Sequence, residues 1–260
     1  MTTTHGPAAV LSIDPPWQPR DTNNNGDRGA SHKYETMSTA EICELELPAR
    51  ADRHVLFLWR LASMQPDALK VLHAWGYVPC AEVVWTKLRP CRTCAATGRT
   101  EVWRIGEQLV EVPGADRVCS ACAGSGGTPY LGLGHYTRGA HEVAIIARPR
   151  RGRAPERLDK AVGSTFSAPM HIDVDGVLPA SEGRRGALVH SAKPDEFFAL
   201  VERLYPGPRV ELFSRRSRPG WTQAVSDQDD ALDEVARVMR EEWPGRVREQ
   251  RLAKARRAVL

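Results

Sequence analysis

The run Ala8 to Ile13 (Ala-Ala-Val-Leu-Ser-Ile) stops abruptly at Asp14-Pro15-Pro16-Trp17. A short, nearly unbroken apolar run bounded by prolines is the pattern of a strand buried on both faces, not of an alternating edge strand. Such strands belong to parallel sheets covered by helices, so this segment alone points to an α/β architecture. It also delivers an acidic side chain to the carboxyl end of a strand, where prolines end the strand and fix the turn. That is the geometry of an active site.

The remaining periodicities agree with an α/β sheet covered on both faces. Residues 18 to 36 are polar and loop-like, long enough for a flap over whatever the first strand presents. Ser38 caps a helix, with Glu41 completing a capping box, running to about Leu47. A strand is predicted at His54 to Arg60, a helix from about Ser63 to Trp75 closed by Gly76, and a strand from Tyr77 to Lys87. After a turn at Gly132 to Gly139 come a strand at Glu142 to Arg148, a surface excursion over 149 to 186, and a short strand at Ala187 to His190. A helix from Pro194 to Tyr205 and a strand Arg209 to Arg215 follow. Beyond Trp221 two charged helices are predicted, split at Pro244-Gly245. No internal repeat is expected. At 260 residues, 42% hydrophobic and 26% charged, the chain suits one well-buried core with appendages and not a disordered or fibrous protein. Apolar runs such as Val55 to Trp59 fall far below the roughly 18 to 20 residues of a bilayer-spanning helix. The start carries no basic segment of a secretory signal, so a cytoplasmic location is expected.

Six cysteines in such a context point to metal more than to disulfides. Cys91-Arg-Thr-Cys94 and Cys119-Ser-Ala-Cys122 form two CxxC knuckles, each followed by small residues and glycine that let backbone amides face thiolate sulfur. A structural zinc ion held by Cys91, Cys94, Cys119 and Cys122 is expected, the alternative being a redox dithiol. Residues from about Arg89 to Thr128 have too few apolar side chains for a core, so a metal must hold them together. Cys43 and Cys80 are expected to be buried thiols. Four thiolates saturate a tetrahedral ion, which argues against a zinc-dependent hydrolase.

The net charge of +4 says little as a sum. Its distribution says more: arginines cluster at 148, 150, 151 and 153, at 215, 216 and 218, and in the tail from Arg246 to Arg257. This suits a polyanionic partner, or equally the codon bias of a GC-rich genome. The tail either contacts phosphate or is a solvated helix.

The tetrapeptide has a chemical reading of its own. The exocyclic amine of adenine is a poor nucleophile because its lone pair is delocalised into the ring. A carboxylate and a neighbouring carbonyl accepting its two N–H groups would localise that pair and aim it at an electrophile, with an adjacent aromatic ring stacked on the base. A proline-rich turn without chemistry is the alternative. Further motifs stand in series: Tyr34-Glu-Thr-Met37-Ser38, Leu56-Phe-Leu-Trp59, Ala74-Trp75-Gly76, Val84-Trp85-Thr-Lys87, Gly132-Leu-Gly134, Arg138-Gly-Ala-His141-Glu142, His190-Ser-Ala-Lys193-Pro194 and Glu211-Leu-Phe-Ser-Arg215. In this series, over about residues 8 to 224 apart from the cysteine insert, the chain resembles the adenine N6-methyltransferase family typified by the seventy-kilodalton catalytic subunit of the messenger-RNA adenosine methylase, with its bacterial and phage relatives.

The resemblance implies a Rossmann-like S-adenosylmethionine-dependent methyltransferase sheet in permuted motif order, over 1–226; the residues themselves place the zinc-binding module within it at 89–128 and a charged helical tail at 227–260. It implies that Asp14 and the Pro15 carbonyl hold the target amine, that Pro16 frames the turn, that Trp17 lines the base pocket and that Tyr34 sits in the flap. Arg138, His141 and Glu142 match a segment near the substrate, His141 in a positioning role. Lys193 would contact the methionine carboxylate or a phosphate, and Glu211 and Arg215 the ribose hydroxyls, with Phe213 beside them. Where the family closes with Trp-Gly-Asn-Glu or similar, this chain reads Thr222-Gln-Ala-Val-Ser226-Asp227, so that Ser226 would replace a cofactor contact only weakly. The expected function is methylation of adenine N6 in nucleic acid, DNA in preference to RNA, without a general base; the alternative is an inactive nucleic-acid-binding relative that keeps the knuckle. The insert either reads the target or stabilises a loop. Expected partners are nucleic acid and either a second copy of the chain or a partner subunit.

Overall fold

The computed structural model describes residues 6–18, 36–105, 108–132, 136–170, 192–214 and 217–223. The tail over 227–260 and the short strand at Ala187 to His190 lie outside these residues. Two units divide the chain: the first takes its described residues from Met1–Glu82, Ala144–Leu158 and Tyr205–Leu260, the second from Val83–Val143 and Asp159–Leu204.

In the first unit the central strand β1 (Ala8–Ile13) is buried along its whole length. It pairs in parallel with β2 (Arg50–Arg60) on one side and β10 (Arg209–Leu212) on the other, and β10 pairs in parallel with β11 (Trp221–Gln223). The sheet order is β11-β10-β1-β2, followed by β8 (His141–Pro149) and β3 (Tyr77–Pro90). Strands β3 and β8 each contribute residues to both units. The apolar run therefore makes a strand with neighbours on both edges, as its composition requires.

Two helices join β1 to β3. Helix α1 (Thr39–Cys43) starts at the expected capping box, in which the Ser38 hydroxyl accepts the Glu41 N–H and the Glu41 carboxylate accepts the Ser38 N–H at 2.8 Å. It ends earlier than Leu47. Pro48 disfavours helical backbone at Leu47, and Leu45 and Leu47 alternate with acids, packing against the core as an extended segment does. Helix α2 (Gln65–Ala74) is preceded by one turn of 3-10 helix, Ala62–Met64, and is stopped by Gly76 at φ +78°, a conformation that glycine adopts without a Cβ clash. Asp67 of α2, buried, accepts the Thr39 hydroxyl at 3.1 Å and ties the two helices together. Their apolar faces and β1 close one core with Leu11, Ile13, Ile42, Leu56, Leu58, Val71 and Leu72.

In the second unit the far part of β3 pairs in parallel with β9 (Thr165–Pro169) and antiparallel with β7 (Gly127–Pro129). Strand β9 falls in what the sequence suggested was surface excursion. The Trp85 indole N–H donates to the Ala168 carbonyl at 2.9 Å and fixes the pairing. Helix α3 (Asp195–Leu204) buries Phe197, Leu200, Val201 and Leu204 at helical spacing. Between β3 and β7 stands a separate small sheet, in the order β5 (Gln108–Pro113), β4 (Arg99–Ile105), β6 (Arg117–Val118). Among the described residues no helix is long and apolar enough to cross a membrane.

Candidate functional site

Strand β1 delivers Asp14, half-buried, to its carboxyl end. The corner that follows is fixed by main chain on both sides. The Trp17 N–H donates to the Pro15 carbonyl at 2.7 Å, a turn tight enough to reverse the chain about Pro16. Met37 N–H donates to the Pro16 carbonyl at 2.7 Å and Gln18 N–H to the Met37 carbonyl at 2.9 Å, so residue 37 clips the corner as a one-residue strand. The Trp17 indole is only 4% exposed, and its N–H donates to the Trp59 carbonyl at 2.9 Å. It anchors the corner in the core.

The corner stands where the sheet changes direction. From β1 the chain moves to β2 on one side; from β10, its other neighbour, it moves away to β11. Between two such strands the loops part and leave a crevice at the carboxyl ends, the place where open α/β sheets bind ligands. Ser12 lies beside Glu211 and Ile13 beside Leu212, so Asp14 and Phe213 are the next residues at that crevice. Phe213 holds φ +63°, a left-handed conformation costing on the order of 1 kcal/mol for a residue with a Cβ and typical of functional sites. Glu211 is buried, and its Oε2 accepts from Arg218 Nη1 at 2.9 Å. Arg218 as the partner of Glu211 was not anticipated from the sequence. Tyr34, Arg215 and Ser226 lie outside the described residues.

The second unit holds the other predicted residues. Arg138 and His141 are exposed. Glu142, with its side chain 12% exposed, receives Lys87 Nζ on Oε1 at 2.5 Å and Lys193 Nζ, 6% exposed, on Oε2 at 3.1 Å. Burial pushes its carboxyl up, but Lys193 and then Lys87 outweigh burial and bring it down to about 2. Glu142 thus neutralises two lysines. Lys87, to which sequence reasoning assigned no role beyond its motif, stands on the same face of β3 as buried Trp85, with Nζ 5.2 Å from the centre of that ring.

The four knuckle cysteines converge, with all sulfur atoms within 4.8 Å of one another. Cys91 and Cys119 are 3.8 Å apart and Cys94 and Cys122 3.7 Å, far beyond a disulfide. A tetrahedral ion at a metal–sulfur distance of about 2.3 Å sets its sulfurs about 3.8 Å apart. The donor set fits zinc in both type and size. Gly98 N–H donates to Cys94 Sγ at 3.3 Å, the amide support that the glycine spacing suggested. Burial and then the neighbouring thiols push Cys94 up to about 12. Cys43 is half-buried and Cys80 exposed, so neither is the fully buried thiol expected.

The knuckles are copies of each other, contrary to the expectation of no repeat. Cys91 N–H donates to Gly126 O at 2.8 Å, and Cys119 N–H to Gly98 O at 2.9 Å. Thr97 Oγ1 donates to Cys94 O, and Ser125 Oγ to Cys122 O, both at 2.7 Å. Ala95 and Ala123 share left-handed backbone at φ 48° and 49°. Glu111 of β5 binds this unit to the hairpin by accepting Thr100 Oγ1, Ser120 N–H and Ser120 Oγ.

Comparison with known proteins agrees with this geometry. Residues 8–109 and 168–226, more than half of the chain, match the MT-A70 family. The chain is 26% identical over 219 residues to a putative N(6)-adenosine-methyltransferase MT-A70-like protein of Medicago truncatula, covering 83% of this chain and 26% of that protein. It is 27% identical over 222 residues to a Drosophila melanogaster N(6)-adenosine-methyltransferase MT-A70-like protein, and 24% over 219 residues to the human N(6)-adenosine-methyltransferase catalytic subunit METTL3, with 83% of this chain covered in each case and 26% and 27% of those proteins. The chain thus spans about a quarter of the length of these relatives.

Proposed function

We propose, because this chain belongs to the MT-A70 family, that it transfers a methyl group from S-adenosylmethionine to N6 of adenine in nucleic acid. The observation that supports this reading is the rigid Asp14 corner at the crevice between β1 and β10. Asp14 accepts one N–H of the target amine. The Pro15 carbonyl, which uses one of its two lone pairs on Trp17, accepts the other. Held in this way, the amine nitrogen's lone pair is drawn out of the purine ring and directed at the incoming carbon. S-adenosylmethionine supplies a methyl carbon activated by a sulfonium: the N–C bond forms as the S–C bond breaks, the thioether leaves, and the amine's surplus proton passes to water. No side-chain base is required.

An acid and an aromatic ring at a strand end beside the corner suit a nucleoside, so Glu211 and Phe213 are assigned to the cofactor together with Arg215, Ser226 and Lys193. The permuted order, with the corner ahead of these residues, is part of the proposal. Tyr34, Arg138 and His141 remain assigned to the substrate. Cys91, Cys94, Cys119 and Cys122 hold a structural zinc ion. DNA is the proposed polymer, on the arginine-rich composition, and a target within a duplex must be flipped from the stack at a cost of a few kcal/mol.

One observation favours a second reading: Glu211, the acid assigned to the ribose, is engaged by Arg218. A nucleic-acid-binding relative without cofactor would show no heat with S-adenosylmethionine at millimolar concentration in calorimetry. The direct test is mass spectrometry of nucleosides after incubation with methyl-labelled cofactor and, separately, DNA and RNA. N6-methyladenine is expected with the intact chain and none with Asp14→Ala, which should fold normally. Undiminished transfer by Asp14→Ala would overturn the assignment of the corner.

A further inference from the structure

The arginines clustered at 148 to 153 meet two more from a distant part of the first unit. Arg53, near the start of β2, forms an isolated parallel bridge with Arg153. Arg150 N–H donates to Gly76 O at 2.8 Å, and a Cβ on Gly152 would lie 3.7 Å from the Asp52 carbonyl, so the segment after β8 runs alongside the start of β2. Arg50, Arg53, Arg148, Arg150, Arg151 and Arg153 are all exposed. Among the described residues none of them is ion-paired; Arg148 reaches the Pro149 carbonyl and Arg150 the His73 ring. The acids within four residues of these arginines in sequence are Glu46, Asp52 and Glu156, all exposed. Elsewhere in the same unit buried charges are matched, Arg60 by Glu82 and Arg218 by Glu211.

Like charges on adjacent extended segments repel and weaken the pairing that holds them together. Guanidinium groups in a row match a ligand that repeats phosphate groups, each able to take two parallel N–H donors. We infer that this patch is a second nucleic-acid contact, binding phosphodiester backbone away from the target base. It rests on the reading that the chain acts on nucleic acid. Its position separates it from the corner. Ala8 pairs with Arg50 and Ile13 with Leu58, which puts the arginines at the amino end of β2 and Asp14 at the carboxyl end of β1. From Ala8, level with Arg50, to Ile13 beside the corner, β1 runs ~17 Å, at about 3.3 Å per residue. A polynucleotide reaching both must extend at least about five steps of ~3.4 Å beyond the target.

The test measures the affinity of the full chain for a labelled DNA duplex of about 20 base pairs across a salt series, by fluorescence anisotropy, with single-stranded RNA as a parallel arm. Arg53→Ala/Arg153→Ala should make the slope of log affinity against log salt less negative by about 1.8, roughly 0.9 for each lost phosphate contact. Lys70→Ala/Lys160→Ala, which removes the same charge from exposed positions outside the patch, should leave the slope at its original value. Thermal melting should fall in neither variant, which separates a lost contact from a lost fold. An intact chain that binds while both variants keep its slope overturns the patch alone. An intact chain that binds neither polymer overturns the nucleic-acid reading, and the patch with it.

Discussion

Glu142→Gln keeps the shape of the side chain and removes the charge that Lys87 and Lys193 share. The native carboxyl titrates at about 2, against an ordinary 4.5. Because the folded value is the lower one, the ionised carboxylate favours the folded state fully above about pH 4.5, and this contribution is lost as the pH falls toward 2. A difference of that size is worth on the order of 3 kcal/mol near pH 7 and about half as much near pH 3. Breaking a buried ion pair by removing one partner costs a similar amount, since the cations are left desolvated without a counter-charge. Urea unfolding of the intact chain and the variant, repeated from about pH 7 to about pH 3, reads the difference directly. The variant is expected to be less stable by about 3 kcal/mol at the upper end, with the gap narrowing by about half at the lower end. A gap independent of pH would show that Glu142 acts through packing alone, and one below about 0.5 kcal/mol near pH 7 would place it with weak surface pairs.

Three further outcomes follow from the geometry. Gly98→Ala puts a Cβ 2.2 Å from the Gly124 carbonyl at φ +74°, so zinc should be lost to a competing chelator at lower chelator concentration than from the intact chain, whereas Gly163→Ala, whose Cβ finds nothing closer than 3.9 Å, should behave as the intact chain does. Cys94→Ser should bring zinc, measured by elemental analysis, from one ion per chain to substoichiometric levels, since a hydroxyl does not replace a thiolate donor in such a site. Trp17→Phe leaves the Trp59 carbonyl without its donor and should cost about 1 to 2 kcal/mol by denaturant titration, together with a loss of methyl transfer larger than the stability change explains.

Elements whose determinants lie within their own sequence were legible. The burial of β1 followed from its unbroken apolar run, the start of α1 from Ser38 and Glu41, and the end of α2 from Gly76. Helix α3 shows its inward stripe at 197, 200, 201 and 204 and was expected within one residue at each end. Elements that exist because of a distant partner were missed. Strand β9, Thr-Phe-Ser-Ala-Pro, has little propensity of its own and is a strand because β3 offers it a ladder from Val84 to Leu88. Strand β11 depends in the same way on β10. The β4–β5 hairpin carries alternation in Val102, Val110 and Val112, but an apolar content too low for a core drew attention to the cysteines instead.

The candidate site divides along the same line. Residue type and order placed an acid at a strand end and four sulfurs in two knuckles, because those patterns are local. What each group touches is decided across the chain: Glu142, matched with His141 to a segment near the substrate, takes its partners Lys87 and Lys193 from elsewhere in sequence. The knuckle repeat is the clearest case. Its copies lie 28 residues apart and share both cysteines, the alanine after the second and the final glycine, and corresponding atoms make corresponding bonds. Each copy also completes the other, since a Cβ at Gly98 would strike the Gly124 carbonyl and one at Gly126 the Ala96 carbonyl, while each first cysteine donates its N–H to the other copy's final glycine. Neither knuckle closes alone. The module therefore folds as one interlocked pair around its sulfurs, with the β4–β5 hairpin as the connection between the copies, and reciprocal hydrogen bonds and a shared ion take the place of the apolar core that its composition cannot supply.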